Sequence, residues 1–181
     1  ELQSDDNKIE VDIYQGLPKA DKMELIIQKS VELGVNAIIP VAMKRCVVKI
    51  TSKDEIKKIT RWQKIAESAA KQSGRNTIPE IKNIVNIEKI NQLIKEYDSV
   101  IVAYENEKNN TIKRELLEIK ESIHDKVKIA VVIGPEGGLE EEDVEMLKQN
   151  GAKIVTLGHR ILRTETVALN VLSVIMYELE S

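Results

Sequence analysis

A single cysteine in 181 residues excludes an internal disulfide framework, and Cys46 alone suits a reducing compartment. No apolar run approaches the roughly 20 residues of a membrane span. No signal-peptide pattern is present, so the cytoplasm is the expected location. Basic charge is not in excess: 27 Lys and Arg stand against 30 Asp and Glu, for a net charge of -3. That balance argues against a broad nonspecific nucleic-acid surface, which needs basic groups to displace counterions. Any such contact is local or supplied by another part, and Lys44, Arg45, Lys49, Lys71, Arg75, Arg160 and Arg163 are the local candidates. Internal repeats and low-complexity blocks are also missing. The length fits about one domain, and 42% hydrophobic with 31% charged residues suits a soluble core.

Glycine is scarce, yet four of the eight sit in two short stretches, Ile133-Gly134-Pro135-Glu136-Gly137-Gly138 and Leu157-Gly158-His159-Arg160-Ile161-Leu162-Arg163-Thr164-Glu165-Thr166. Each stretch follows an apolar strand and precedes a helix, the arrangement by which a parallel sheet builds a ligand site. The strands read as Ala37 to Ala42, Ser99 to Ala103, Val127 to Ile133 and Lys153 to Leu157. Uninterrupted apolar runs such as Ile129 to Ile133 imply burial on both faces, hence a mostly parallel sheet with helices on both sides. Pro40 is tolerable only near an edge or a strand end. Helices are expected from a capping box at Asp21 and Glu24 to Gly34, from about Asp54 to Ser73, near Ile87 to Lys95, and over Thr111 to Glu121, Glu140 to Gln149 and Thr166 to Leu179. Trp62 falls in the apolar stripe of the second helix and reads as a core anchor. The opening run Glu1 to Asn7 reads like a linker, which places a linker-like start over 1–12 and the domain over 13–181.

The first glycine loop is not a phosphate cradle. Its helix opens with Leu139-Glu140-Glu141-Glu142-Asp143 instead of Gly-Lys-Ser/Thr, and those acids already complement the helix dipole and repel phosphate. The dinucleotide glycine spacing is missing too. A ligand with a cationic or apolar centre and an adenine edge met by backbone groups fits better, and S-adenosylmethionine has both. Thr164 and Thr166 read equally well as helix caps and as ligand contacts. Arg163 reads either as half of a salt bridge with Glu165 or another acid, or as a charge with a dedicated partner in a buried turn. The helix after them is apolar nearly all round, so the rest of the domain or a second subunit must cover it.

At these residues the chain resembles the ribosomal small-subunit methyltransferase E family of the SPOUT superfamily, which methylates N3 of one uridine in 16S ribosomal RNA. The resemblance rests on Leu17 to Glu24, Glu32-Leu33-Gly34-Val35, Arg61-Trp62, Gln72-Ser73-Gly74-Arg75, Ile133 to Gly138 and Leu157 to Thr166. It implies a C-terminal trefoil knot, which ordinary topology rules exclude, and a homodimer through the knot and last helix. It also implies an upstream PUA-like RNA-binding barrel and the small ribosomal subunit as partner. For the site it implies a cofactor pocket walled by Ile133, Gly134, Glu136, Gly137 and Gly138. Leu157, Gly158, Ile161 and Leu162 would meet adenine, with Thr164, Thr166 and Ala168 close by. Arg163 is the expected catalytic residue, and Glu165, Glu136 and, more weakly, His159 are the candidate bases. The chain departs from the usual pattern at Leu139, His159 and Val167, where an aromatic, a variable and a smaller residue are expected. A ribose 2′-O-methyltransferase of the same superfamily and a non-enzymatic cofactor or RNA-binding module are the alternatives.

Overall fold

The computed structural model describes residues 8–122 and 125–180. Seven strands form one sheet in the order β3-β2-β1-β6-β5-β7, with β4 also pairing β2, and every pairing is parallel. The strands are β1 (Ile9–Gly16), β2 (Ala37–Ala42), β3 (Glu80–Ile81), β4 (Val85–Asn86), β5 (Ser99–Ala103), β6 (Val127–Ile133) and β7 (Lys153–Val155). The helices are α1 (Lys22–Glu32), α2 (Ser52–Gln72), α3 (Ile87–Leu93), α4 (Ile112–Ser122), α5 (Glu141–Gln149) and α6 (Thr164–Leu179). Consecutive residues of β1 and β6 are buried, so both faces of the sheet are covered, as a parallel sheet requires. Helices α2, α1, α6 and α4 pack in that order, with α6 lying on β1 and β6, while α3 packs on α5. Among the described residues no helix is long and apolar enough to cross a membrane.

The central strand β1 begins at Ile9, so the expected linker-like start over 1–12 gives way to sheet four residues earlier than its boundary. Residues 1–7 lie outside the described residues. Strand β1 carries Asp12 into the interior, where Asn36 Nδ2 donates to Oδ1 at 2.7 Å and the Tyr97 hydroxyl donates to Oδ2 at 2.8 Å. The Tyr14 hydroxyl lies 2.9 Å from that of Tyr97, and burial and then this bond push the Tyr97 hydroxyl far above its ordinary pKa. A buried carboxylate is tolerable because both oxygens are met. Pro40 sits in β2 between the residues paired to β3 and those paired to β4, so its missing N–H falls in the gap between two partners.

Trp62 is 5% exposed and anchors α2 to the core, as its stripe predicts. Helix α2 starts two residues before the expected Asp54, at Ser52, because the Thr51 side chain accepts from the Asp54 N–H. The capping box at α1 does not form. Asp21 has no side-chain cap bond, and Glu24 instead pairs with Arg61, Nε to Oε1 2.7 Å. The preceding residue explains the difference: Ala20 has φ 51, and this left-handed turn leads the chain into α1. A left-handed alanine costs about 1–2 kcal/mol, which outweighs the extra unfolded-state entropy of glycine. Ala20→Gly should therefore raise the thermal midpoint by roughly 2 °C; calorimetry showing a lower midpoint would mean that the strain is relieved elsewhere.

Candidate functional site

All strands are parallel, so Gln15 and Gly16, Ala103, Ile133 and Val155 end on one rim of the sheet. A cavity of about 390 Å³ opens there, lined by residues 103–105, 133–136, 138 and 156–164 together with Lys22 and Val167. Its size falls in the usual range for small-molecule sites.

The walls are built by a return of the chain. Strand β7 is at the edge of the sheet, whereas α6 lies on the central strands β1 and β6. The segment from Thr156 to Arg163 must therefore run back across the rim, and Thr164 fixes where it arrives. The Thr164 hydroxyl donates to the Gly134 carbonyl at 2.7 Å and accepts from Gln15 Nε2 at 2.8 Å. Both Gln15 and Thr164 are buried. The loop after β5 holds the departing end: Tyr104 N–H donates to Val155 O at 3.0 Å and Thr156 N–H to Asn110 O at 2.8 Å. Within that loop Glu107 Oε1 accepts the N–H groups of Lys108, Asn109 and Asn110, and these backbone donors, Asn109 first, hold its carboxyl below the usual range.

The first glycine loop is fixed from outside. Pro135 O accepts the Gly138 N–H at 2.9 Å, and Gly138 has φ +73. A β-carbon on Gly16 would stand 2.6 Å from Pro135 N, so the end of β1 must be glycine for the loop to pass. Arg45 donates to Gly137 O at 3.1 Å and pairs with Glu140 at 3.0 Å. It is a brace for this loop, with its charge already matched. Arg75 is committed likewise, to Val31 O at 3.1 Å and Val35 O at 2.7 Å at the end of α1.

Of the residues expected in the pocket, Ile133, Gly134, Glu136, Gly138, Leu157, Gly158, Ile161, Leu162 and Thr164 line the cavity. Gly137 faces Arg45, Thr166 is exposed on α6, and Ala168 is fully buried beneath; none of the three lines it. Thr164 is not a helix cap: Arg163 holds the N-cap position, without a side-chain cap bond, and Thr164 bonds across chain segments instead. Arg163 lines the cavity, is exposed, and its guanidinium has no hydrogen bond or ion pair among the described residues. The expected buried turn is thus corrected, since Ile161 is 87% exposed, and so is the expected salt bridge. Glu165 pairs with Lys22 at 3.5 Å, and the same ammonium lies 3.1 Å from Glu136. Burial raises the Glu136 carboxyl, but the Lys19 N–H, its own N–H and Lys22 together hold it below the usual range. Both acidic candidates for the base therefore share one cation, Glu165 does not reach the cavity wall, and the weaker candidate His159 lines it.

Sequence reasoning missed Ala103, Tyr104, Glu105 and Lys22. A loop at the carboxyl end of a central strand was the available signal, and for Lys22 the motif Leu17 to Glu24 was in hand without a role.

A family model for an RNA methyltransferase domain matches residues 5–176. The chain belongs to that family. It is 42% identical over 172 residues to the ribosomal RNA small subunit methyltransferase E of Bacillus subtilis, covering 95% of this chain and 67% of the relative. The enzyme of the same name from Mesomycoplasma hyopneumoniae is 34% identical, with 86% and 64% covered. The chain thus spans about two thirds of the length of these relatives. The crystal structure of ribosomal RNA small subunit methyltransferase E from Neisseria gonorrhoeae bound to S-adenosyl methionine superposes with TM-score 0.79 at 34% identity, covering 93% of this chain and 66% of that one. A putative methyltransferase from Legionella pneumophila in complex with the same cofactor gives TM-score 0.81 at 32% identity, with 94% and 66% covered.

The Thr164 bridge should be measurable in stability. Thr164→Val leaves the Gly134 carbonyl and one Gln15 donor without this partner, which costs about 2 kcal/mol and lowers the thermal midpoint by roughly 4–8 °C. Thr164→Ser, which keeps the hydroxyl, should recover most of that loss. Equal midpoints for the valine variant and the wild type would remove the bridge from the account.

Proposed function

We propose that this chain is the catalytic part of an S-adenosylmethionine-dependent methyltransferase acting on N3 of a uridine in 16S ribosomal RNA. The observation that carries the reading is Arg163, an uncommitted guanidinium at a cavity walled by backbone, in a chain of the RNA methyltransferase family.

The cavity suits the cofactor. Beside Gly158, φ +113, a β-carbon would meet nothing within 4 Å, so that wall presents open backbone of the kind that reads an adenine edge. Gly134, Gly138, Leu157, Gly158, Ile161 and Leu162 would hold it, with Val167 closing the pocket. Gly137, Thr166 and Ala168 act from behind, through the loop and helix that carry the wall. Lys22, shared by Glu136 and Glu165, ties the first loop to α6 and sets the width of the cavity. S-Adenosylmethionine supplies a methyl group on a sulfonium sulfur, which departs as a neutral thioether.

What remains for the protein is alignment and charge. Uridine N3 carries a proton at neutral pH and becomes anionic when that proton leaves. Arg163 can grip the base edge with two N–H donors and stabilise the developing charge. Glu165 acts as a positioning group through Lys22 instead of as the base, since Lys22 claims it and it stands off the cavity. The return of the chain from β7 to α6 is the segment that threads the trefoil knot. A ribosomal substrate places the protein in the cytoplasm.

We also propose a homodimer through α6. Tyr177 is 80% exposed, and Val167, Leu169, Val174 and Leu179 are half-buried on the same helix. Sedimentation should give about twice the chain mass at micromolar concentration; a monomer with α6 intact removes the argument.

Arg163→Ala should lower the methylation rate of small ribosomal subunits about a hundredfold, because a charged contact made in the transition state is worth roughly 3 kcal/mol. Affinity for S-adenosylhomocysteine should stay within about threefold. Arg163→Lys should recover little, as an ammonium lacks the planar fork. Combined loss of folding and cofactor binding in the alanine variant would make Arg163 structural. Mass spectrometry of the product locating the methyl on a ribose oxygen would replace the base methylation with the 2′-O reaction.

A further inference from the structure

Resting on the reading that the cavity takes S-adenosylmethionine, we propose that Glu105 recognises the ribose diol of that ligand. Glu105 follows β5, at the middle of the rim, and lines the cavity. The other acids around the cavity mouth are committed: Glu136 to the Lys19 N–H and Lys22, Glu165 to Lys22, and Glu140 to Arg45. Glu105 has no hydrogen bond or ion pair among the described residues.

Its carboxylate lies against the backbone of the first glycine loop. A β-carbon on Gly138 would stand 2.5 Å from Glu105 Oε1, and Gly138 holds φ +73. The loop thus keeps both a left-handed turn and a bare Cα at the spot where this carboxylate rests, which leaves room for the acid at the cavity wall.

The chemistry of the group selects its partner. A carboxylate only accepts hydrogen bonds, and its two oxygens match two adjacent hydroxyl donors; the pair is charge-assisted on the protein side. An acid at the carboxyl end of a parallel strand is the general means by which sheet proteins hold nucleoside ribose. An adenine amine would offer its donors to backbone carbonyls of the segment from Leu157 to Leu162, which also lines the cavity. The negative charge also rejects nucleosides carrying a 2′- or 3′-phosphate, so the site reads an unmodified diol.

The test is calorimetric and needs no turnover. Three probes are titrated into the wild type and Glu105→Gln: S-adenosylhomocysteine, its 2′,3′-dideoxy form, and methylthioadenosine, which lacks the amino-acid end. Glu105 is exposed, so Glu105→Gln should melt with the wild type. The substitution should weaken S-adenosylhomocysteine about tenfold or more and methylthioadenosine by the same factor, while changing the dideoxy ligand less than about twofold. An undiminished loss on the dideoxy ligand overturns the proposal. So does a loss confined to S-adenosylhomocysteine, which would assign Glu105 to the ligand's ammonium group. Failure of the wild type to bind any of the three probes would instead overturn the reading of the cavity itself.

Discussion

One hydroxyl, that of Thr164, holds three distant parts of the chain at a single point. It accepts a hydrogen bond from Gln15 at the end of β1 and donates one to the carbonyl of Gly134 after β6, while its own backbone starts α6. Without that bridge the segment leaving the edge strand β7 has no fixed landing on the centre of the sheet. The cavity is the space this return encloses against the rim, so the position of the site, the exposure of its backbone and the placement of Arg163 depend on the same bond. Buried hydrogen bonds contribute modestly when made and cost more when one partner is left unmet. The bridge therefore gives specificity of path more than raw stability.

Charge is distributed around the cavity with the same economy. Arg45, Lys22 and Lys19 N–H hold Glu140 and Glu136, and Lys22 also holds Glu165, so the two loops are braced by matched charges around the cavity. Arg160, Arg163 and Glu105 are the exceptions, two cations and one anion at the cavity whose side chains have no partners among the described residues. A site that leaves opposite charges free at these points is suited to a substrate that turns anionic beside a nucleoside with a free diol.

The parallel sheet was legible in the sequence because runs such as Ile129 to Ile133 leave no exposed face, and the two glycine loops identified the rim. The central strand β1 was not. Glu10 and Asp12 interrupt its apolar pattern, and Asp12 becomes buriable only through Asn36 and Tyr97, which approach from 24 and 85 positions away. The absent cap at Asp21 is of the same kind: a left-handed Ala20 redirects the chain, and no propensity predicts it. At the site, composition singled out Arg163 and Thr164 but misjudged what they touch. Whether a threonine caps its own helix or bonds Gly134 and Gln15 is settled by topology, and so is the shared claim of Glu136 and Glu165 on Lys22.

Hydrogen exchange with and without S-adenosylhomocysteine tests the central claim most directly. Slowed exchange should appear at the N–H groups of residues 134, 136–139 and 157–164, on the two sides of the Thr164 bridge, and the Asp12 and Tyr97 network should exchange at its unliganded rate. Protection that is absent, or that falls outside these two stretches, would contradict the assignment of the cavity.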